Sequence, residues 1–282
     1  MFKLIIFNYN IVKYKMSKSK WTLSKKLLED TLMNPSQFSK KGLFLEPKEF
    51  AGKVIFDNNN CRIESGNRVC DKIYSNHTVT SGQRDTVITP HAKVNFHTHP
   101  LHCYVDAEVV WGWPSGEDMA QCIRFAQDGN IYHIIFAIEG TYIITVNKNI
   151  ELTSDTIECI ETIFKLTHKY RWYKNMENQE SLRLMFQKFI SISGIKPKGQ
   201  NMAELWVNFV NDFRLGHCEY YSSIKIPTKL KSTRVFKAYM IRNESIQYNK
   251  DPSVVYNYFQ RVKNNNDLKQ LIKMPKSITV TL

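Results

Sequence analysis

A chain of 282 residues in which 43% of the side chains are hydrophobic and 12% are aromatic can bury a sizeable core, so global disorder, a collagen repeat and a coiled coil are excluded. The mean hydropathy of −0.38 and the lack of any apolar run near the roughly 20 residues that cross a bilayer predict a soluble protein with no membrane partner. The net charge of +13 predicts either a solvated, lysine-rich surface or a face for nucleic acid or another acidic partner.

The first half of the chain has the pattern of an α+β domain. Residues 1–19 are predicted to be an N-terminal arm, and residues 20–150 to be the domain itself. Its predicted elements show helical or alternating periodicity and end at turn residues. In chain order they are a helix at Trp21–Met33, strands at Phe50–Phe56, Thr86–Ile88 and Lys93–Phe96, a helix capped by Ser115 that continues to Ala126, and a hairpin of Ile131–Ile138 with Tyr142–Val146.

The second half, residues 151–282, is predicted to be a mostly helical extension. Helices are predicted at Ile157–Tyr170, Glu180–Ile192 and Ala203–Phe213 and within Asp251–Lys273, and strands at Val235–Ile241 and Ile278–Leu282. This half carries 21 basic and 12 acidic residues, against 18 and 14 in residues 1–150. If the basic charge serves a nucleic-acid or acidic partner rather than a solvated surface, that partner is predicted to contact the extension.

The six cysteines predict an intracellular, cytoplasmic protein. They are scattered and include no CxxC pair, so free thiols in a reducing compartment are expected. Cys61 and Cys70 lie on either side of a Gly-Asn turn, and they are expected to be small thiols rather than a bonded pair.

The residues that indicate chemistry lie between His97 and Asp118. His97-Thr98-His99 places two imidazoles on the same side of a strand, where both can contact one metal ion. Asp118, in the first turn of the next helix, can supply a carboxylate as third ligand. Three protein ligands and an open fourth position are typical of catalytic zinc sites. Between Leu101 and Asn147 the charged side chains other than Arg124 are all acidic, which favours binding of a cation. An HxH motif alone is also compatible with two surface histidines that bind no metal.

Together these motifs resemble the JAMM metalloproteases, which are built on the Jab/MPN domain and include deubiquitinating enzymes. In that family a glutamate within ExxG precedes HxH, and SxxD follows after a loop. Glu49–Gly52, His97–His99 and Ser115–Asp118 match these motifs in that order. The resemblance covers about residues 20–150 and implies a Jab/MPN-like, cytidine-deaminase-like mixed sheet flanked by helices. The chain departs from the family at residues 100–114, a longer segment than the family has.

The resemblance also implies a role for each matched residue. His97, His99 and Asp118 would bind Zn²⁺. Glu49 would accept a proton from the attacking water and return it to the leaving amine. Ser115 would stabilise the oxyanion through its hydroxyl, a role that is compatible with capping the helix.

Other residues remain as alternatives to these assignments. Glu64 is the alternative base, but Glu49 is preferred because a glycine follows it at the third position, with a strand of buried type behind it. His133 lies in an apolar strand and is expected to be a hydrogen-bonded core histidine. The residues that could form a second metal site, or else a solvated loop, are His102, Cys103, Asp106 and Glu108.

The sequence therefore predicts a zinc-dependent isopeptidase or peptidase, and the resemblance implies ubiquitin or a ubiquitin-like conjugate as its partner. The alternative is a virion-associated or scaffolding protein with a vestigial or structural metal site, whose basic half binds nucleic acid or another protein. The segment Gly112–Met119 is similar to proteins of large DNA viruses, which keeps this alternative open and would place the protein in the virion or the host cytoplasm.

Overall fold

A computed structural model describes about half of the chain. The described residues are 20–24, 45, 47–54, 61–64, 67–70, 86–106, 109, 111–147, 152–168, 202–211, 235–242, 257, 259–264, 266–268 and 277–281. The predicted N-terminal arm and the predicted helix at Glu180–Ile192 lie outside these residues. Only parts of the predicted helix within Asp251–Lys273 are described, with helical residues at 257, 259 and 266–268 and a turn at 260–261.

The described elements come as runs of strands separated by pairs of helices, which confirms the α+β class. The strands are β1 (Lys20–Ser24), β2 (Ala51–Lys53), β3 (Cys61–Glu64), β4 (Asn67–Cys70), β5 (Val94–Thr98), β6 (Tyr132–Phe136), β7 (Gly140–Val146), β8 (Phe236–Arg242) and β9 (Ser277–Thr281). The helices are α1 (Leu101–Asp106), α2 (Gly116–Gln127), α3 (Ser154–His168) and α4 (Met202–Asn211).

A five-stranded mixed sheet in the order β2-β5-β6-β7-β8 forms the centre of the fold. Strands β5 and β6 are parallel. The connection between them contains α2 and returns the chain to the end of the sheet at which β5 begins, so that both strands run in the same direction. The other neighbours in this sheet are antiparallel. The tight β6–β7 hairpin confirms the predicted one, and its turn is closed by the Ala137 amide, which donates to the Gly140 carbonyl at 3.0 Å.

The first residue of helix α2, Gly116, packs closely against α3. A side chain at Gly116 would overlap the Glu161 carbonyl and the Lys165 side chain of α3. Only glycine permits this approach of the two backbones. The close contact positions the N-terminus of α2, and with it the predicted metal ligand Asp118.

The core includes residues from both sides of residue 150. Trp113 stacks on Trp206 of α4 with ring centroids 6.3 Å apart, and both side chains are fully buried. The indole nitrogen of Trp206 donates to the Thr167 hydroxyl of α3 at 3.2 Å. Helices α3 and α4 and strand β8 follow the predicted boundary near residue 150. Their buried residues belong to the same core as those of the first half. Binding of nucleic acid or an acidic partner by residues 151–282 stays a prediction.

Two predictions are wrong at residues that the structure describes. A helix is predicted at Trp21–Met33, but residues 21–24 belong to β1, which pairs in parallel with β4 and antiparallel with β9, and residues 25–33 lie outside the described part of the chain. The Trp-Thr-Leu sequence suits a strand once partners are present, and the helical spacing of its apolar residues could not reveal a partner at the other end of the chain. Thr86–Ile88 was expected to be a strand, but only Thr86 makes an isolated bridge, and Ile88 is 75% exposed.

The strands predicted at Lys93–Phe96, Val235–Ile241 and Ile278–Leu282 are confirmed as β5, β8 and β9. The helices predicted at Ile157–Tyr170 and Ala203–Phe213 are confirmed as α3 and α4. Within the part of the chain that the structure describes, no helix combines the length and the apolar character that a membrane span requires.

Candidate metal centre

Strand β5 presents the two histidines of the HxH motif at the end of the central sheet. His97 belongs to β5 and His99 follows it directly, so the period of two residues directs both imidazoles to one side. Their ring centroids are 5.0 Å apart, and both side chains are buried. Their Nε2 atoms lie 3.1 Å from each other.

Helix α2 delivers the third ligand through its cap. The Ser115 hydroxyl accepts from the Asp118 amide at 2.9 Å, and the Asp118 carboxylate accepts from the Ser115 amide at 2.5 Å. This reciprocal capping box confirms Ser115 as the predicted N-cap. It holds Asp118 so that its two oxygens lie 3.2 Å from His97 Nε2 and 3.6 Å from His99 Nε2.

These three side chains could hold a metal ion. Their candidate ligand atoms all lie within 4.8 Å of one another. Zinc bonds of about 2.0–2.1 Å in a tetrahedral arrangement place neighbouring ligand atoms about 3.3 Å apart. The separations of 3.1, 3.2 and 3.6 Å are close to that value. Two imidazoles and one carboxylate are also a donor set that suits zinc, so the residues fit the predicted ion.

The histidines keep the aspartate in its ionised form. Burial by itself would raise the pKa of Asp118, but the charge and hydrogen bonds of His97 and His99 hold that pKa well below its usual range. Asp118 is therefore ionised at neutral pH, in the form that binds metal.

The candidate base, Glu49, reaches the site from the neighbouring strand. It lies just before β2, which pairs with β5 so that Ala51 is opposite His97. The Phe50 backbone is bonded on both sides to Thr98, since its amide donates to the Thr98 hydroxyl at 3.0 Å and its carbonyl accepts from the Thr98 amide at 2.8 Å. These bonds fix the residue next to Glu49. Burial raises the pKa of Glu49, the charges of His99 and His97 lower it, and the net shift is upward.

One cavity of about 950 Å³ brings these groups together. Glu49, His97, His99, Ser115 and Asp118 all line it. The base and the oxyanion-binding hydroxyl predicted from the sequence therefore face the same space as the three possible ligands.

None of the alternative residues that the structure describes belongs to the ligand group of His97, His99 and Asp118. Glu64 belongs to β3, in the four-stranded sheet β3-β4-β1-β9. His102 and Cys103 lie in α1, and both residues line the cavity. Cys103 Sγ lies 3.6 Å from Glu49 Oε1. Among the described residues, His97, His99 and Asp118 form the one group with ligand spacing, and Glu108 is outside them. Cys61 and Cys70 are opposite each other in the β3–β4 register.

Sequence reasoning missed the residues that orient His99. Its Nδ1 donates to the Gly112 carbonyl at 2.5 Å, and the Gly112 amide donates to Glu139 at 2.7 Å. The buried Glu139 carboxylate also accepts from the hydroxyls of Tyr104 at 2.5 Å and Tyr142 at 2.6 Å. Glu139 thus ties α1, the loop before α2 and the β6–β7 hairpin together. An acidic residue between apolar strands was the available signal, but it suggested only a turn.

His133 is the second residue whose role the sequence did not predict. It is buried and hydrogen-bonded, as expected of a core histidine, but one of its partners is the candidate ligand His97. Burial and then the charge of His97 lower the pKa of His133 to about 3, against a smaller opposing effect of Asp118. His133 is therefore neutral at physiological pH.

Comparison with known proteins gives one informative similarity. The chain is 31% identical over 70 residues to "Uncharacterized protein 3R" of Frog virus 3 (isolate Goorha). The aligned part is 25% of this chain and 15% of the viral protein, so it covers only a small part of that protein's length. No protein-family model matches the chain, and no solved structure matches it. The similarity is consistent with a viral origin.

Proposed function

We propose that this chain is a zinc-dependent hydrolase of amide bonds, of the JAMM type that its motifs resemble. The observation that carries the proposal is the shared cavity, in which Glu49 and Ser115 accompany the ligand group of His97, His99 and Asp118. A structural zinc site is usually closed by four protein ligands, whereas this group supplies three. A carboxylate outside the ligand group and a hydroxyl at its edge are what hydrolysis additionally needs.

The chemistry divides between the ion and the protein. Bound zinc would supply Lewis acidity, which activates water and polarises the scissile carbonyl. Glu49 would take the proton from the attacking water at a carboxylate oxygen and deliver it to the leaving amine. Its partial burial raises its pKa, which makes it a stronger base than an exposed glutamate.

Ser115 would stabilise the negative charge that develops on the carbonyl oxygen. Its hydroxyl oxygen already accepts from the Asp118 amide, which leaves the hydroxyl hydrogen to donate. The cap therefore holds the donor in place before the reaction begins, and such preorganisation is what makes an oxyanion donor effective.

The substrate class that we propose, from the resemblance alone, is a conjugate of ubiquitin or a ubiquitin-like protein. The test is cleavage of a panel of isopeptide-linked conjugates by the full-length protein, before and after treatment with a chelator. We expect cleavage that the chelator abolishes and added zinc restores. Stoichiometric zinc binding without cleavage of any conjugate would instead favour the alternative, a scaffolding protein with a structural metal site.

A Ser115→Ala substitution is expected to affect both rate and stability. Loss of the oxyanion donor should lower the cleavage rate by up to about 10²-fold, and loss of the cap should cost about 1 kcal/mol of stability. The matched control is Thr153→Ala, which removes the cap of α3, where the Thr153 hydroxyl accepts from the Thr156 amide at 3.4 Å. Thermal melts and rates are measured on both. If Thr153→Ala slows cleavage as much as Ser115→Ala, the effect is one of stability and Ser115 has no role on the oxyanion.

A further inference from the structure

The two histidines of the candidate site are oriented by partners of different kinds. His99 Nδ1 faces the Gly112 carbonyl, which can only accept, so that nitrogen carries a proton. His97 Nδ1 faces His133 Nε2 at 3.0 Å, an atom that donates in one tautomer of His133 and accepts in the other. The form of His97 therefore depends on what determines the tautomer of His133.

The tautomer of His133 is determined by carbonyl groups further along the hydrogen-bond chain. The amide nitrogen of Asn95 donates to the Pro90 carbonyl at 3.1 Å, so its other terminal atom is the oxygen. That oxygen accepts from the Asn130 amide at 3.1 Å, and Asn130 also donates to the Ala92 carbonyl at 2.7 Å. The same oxygen lies 2.8 Å from His133 Nδ1. Since an amide oxygen only accepts, His133 Nδ1 must donate.

This direction continues to the candidate metal ligand. With its proton on Nδ1, His133 presents an unprotonated Nε2, which accepts from His97 Nδ1. His97 then keeps the lone pair of its Nε2, the atom that lies 3.1 Å from His99 Nε2 and 3.2 Å from Asp118. Both Asn95 and His133 are buried, at 0% and 2% exposed, so bulk water cannot readily replace either partner.

We propose that Asn95 and His133 form a relay that holds His97 with its proton on Nδ1, so that its Nε2 lone pair faces the candidate metal site. His133 is then a positioning residue, which acts on the metal through His97. Histidine ligands are commonly oriented by a carboxylate or a carbonyl, and such partners contribute to metal affinity. The proposal rests on the metal site of the proposed function, but it does not depend on hydrolysis.

The first test locates the proton on His133. The full-length protein, labelled with ¹⁵N-histidine, is studied without metal at pH 8 by long-range proton–nitrogen correlation, which distinguishes the two tautomers. We expect His133 to carry its proton on Nδ1. His99 serves as an internal reference, because the Gly112 carbonyl fixes its Nδ1 proton independently. A proton on Nε2 of His133 would overturn the relay, whether or not the protein binds zinc or cleaves a conjugate.

The second test measures zinc affinity by competition with a chelator. His133→Phe preserves the bulk of the side chain without its hydrogen bonds, and it should weaken binding by roughly 10- to 100-fold. His133→Gln retains one donor and one acceptor, and it should stay within several-fold of wild type. Thr167→Val, which removes a buried hydrogen bond to Trp206, is the control for general loosening of the core.

Each result of the second test bears on the relay. Wild-type affinity in a folded His133→Phe protein, or an equal loss in His133→Gln and His133→Phe, would overturn it. If His133→Phe does not fold, Asn95→Leu breaks the relay one residue further back and is judged by the same loss of affinity. A wild-type protein that binds no zinc contradicts the proposed function, and in that case the proton position on His133 still decides the relay.

Discussion

Replacing Glu49 with glutamine is expected to lower the rate of amide cleavage by roughly 10²–10⁴-fold while zinc content and melting temperature stay near wild type. Glutamine has almost the size of glutamate but cannot accept the proton of the attacking water. Since Glu49 lies outside the ligand group of His97, His99 and Asp118, its loss should leave the metal in place. The measurement is the cleavage rate of a conjugate, with zinc analysis and a thermal melt on the same preparation.

The matched control is Glu117→Gln, the same change at another glutamate of the cavity wall. Glu117 is exposed and lies 3.6 Å from Lys165, so its substitution should change the rate only slightly. Equal rates for wild type and Glu49→Gln, at equal zinc content, would show that Glu49 is not the base. The search for the base would then turn to the other carboxylates of the cavity wall, Asp106 and Glu161.

Replacing His97 and His99 together with alanine is expected to reduce bound zinc from about one ion per chain to none and to abolish cleavage. Only the Asp118 carboxylate of the ligand group would remain, and a single carboxylate does not retain zinc against a chelator. Metal analysis after dialysis measures the first effect, and the conjugate assay measures the second.

Two single substitutions serve as controls for the double variant. His91→Ala removes an exposed histidine that lies 3.9 Å from Asp128, and His102→Ala removes a histidine of the cavity wall. Both should keep their zinc. Full zinc content in the double variant would contradict the assigned ligands, and loss of zinc in His102→Ala would mean that α1 contributes a ligand.

Features that depend on neighbours in the chain could be predicted from the sequence. The HxH motif places His97 and His99 on one side of β5 because side chains alternate along a strand. Ser115 caps α2 because a serine just before the first helical turn can accept from a backbone amide of that turn. The β6–β7 hairpin likewise follows from two apolar runs separated by a short turn. Each of these features was predicted from local spacing, and the structure contains each of them.

Features that depend on distant partners could not be predicted in this way. Residues 21–24 were predicted to be helical, and only pairing with β4 and β9 shows that they form a strand. The sequence identified a strand beside Glu49, but the register that places Ala51 opposite His97 belongs to the assembled sheet.

The sequence by itself pointed to His97 and His99 as possible ligands, since their spacing places both on one side of a strand, and it offered Asp118 as a third from the first turn of the next helix. Only the tertiary structure decided which other residues orient these candidate ligands. Glu139 and His133 had no recognisable motif, because a buried carboxylate or imidazole is identified by its partners rather than by its neighbours in the chain. Those partners are the Gly112 amide for Glu139 and the Asn95 oxygen for His133. They come from other elements, and they are brought within hydrogen-bonding distance only when the chain packs around the central sheet.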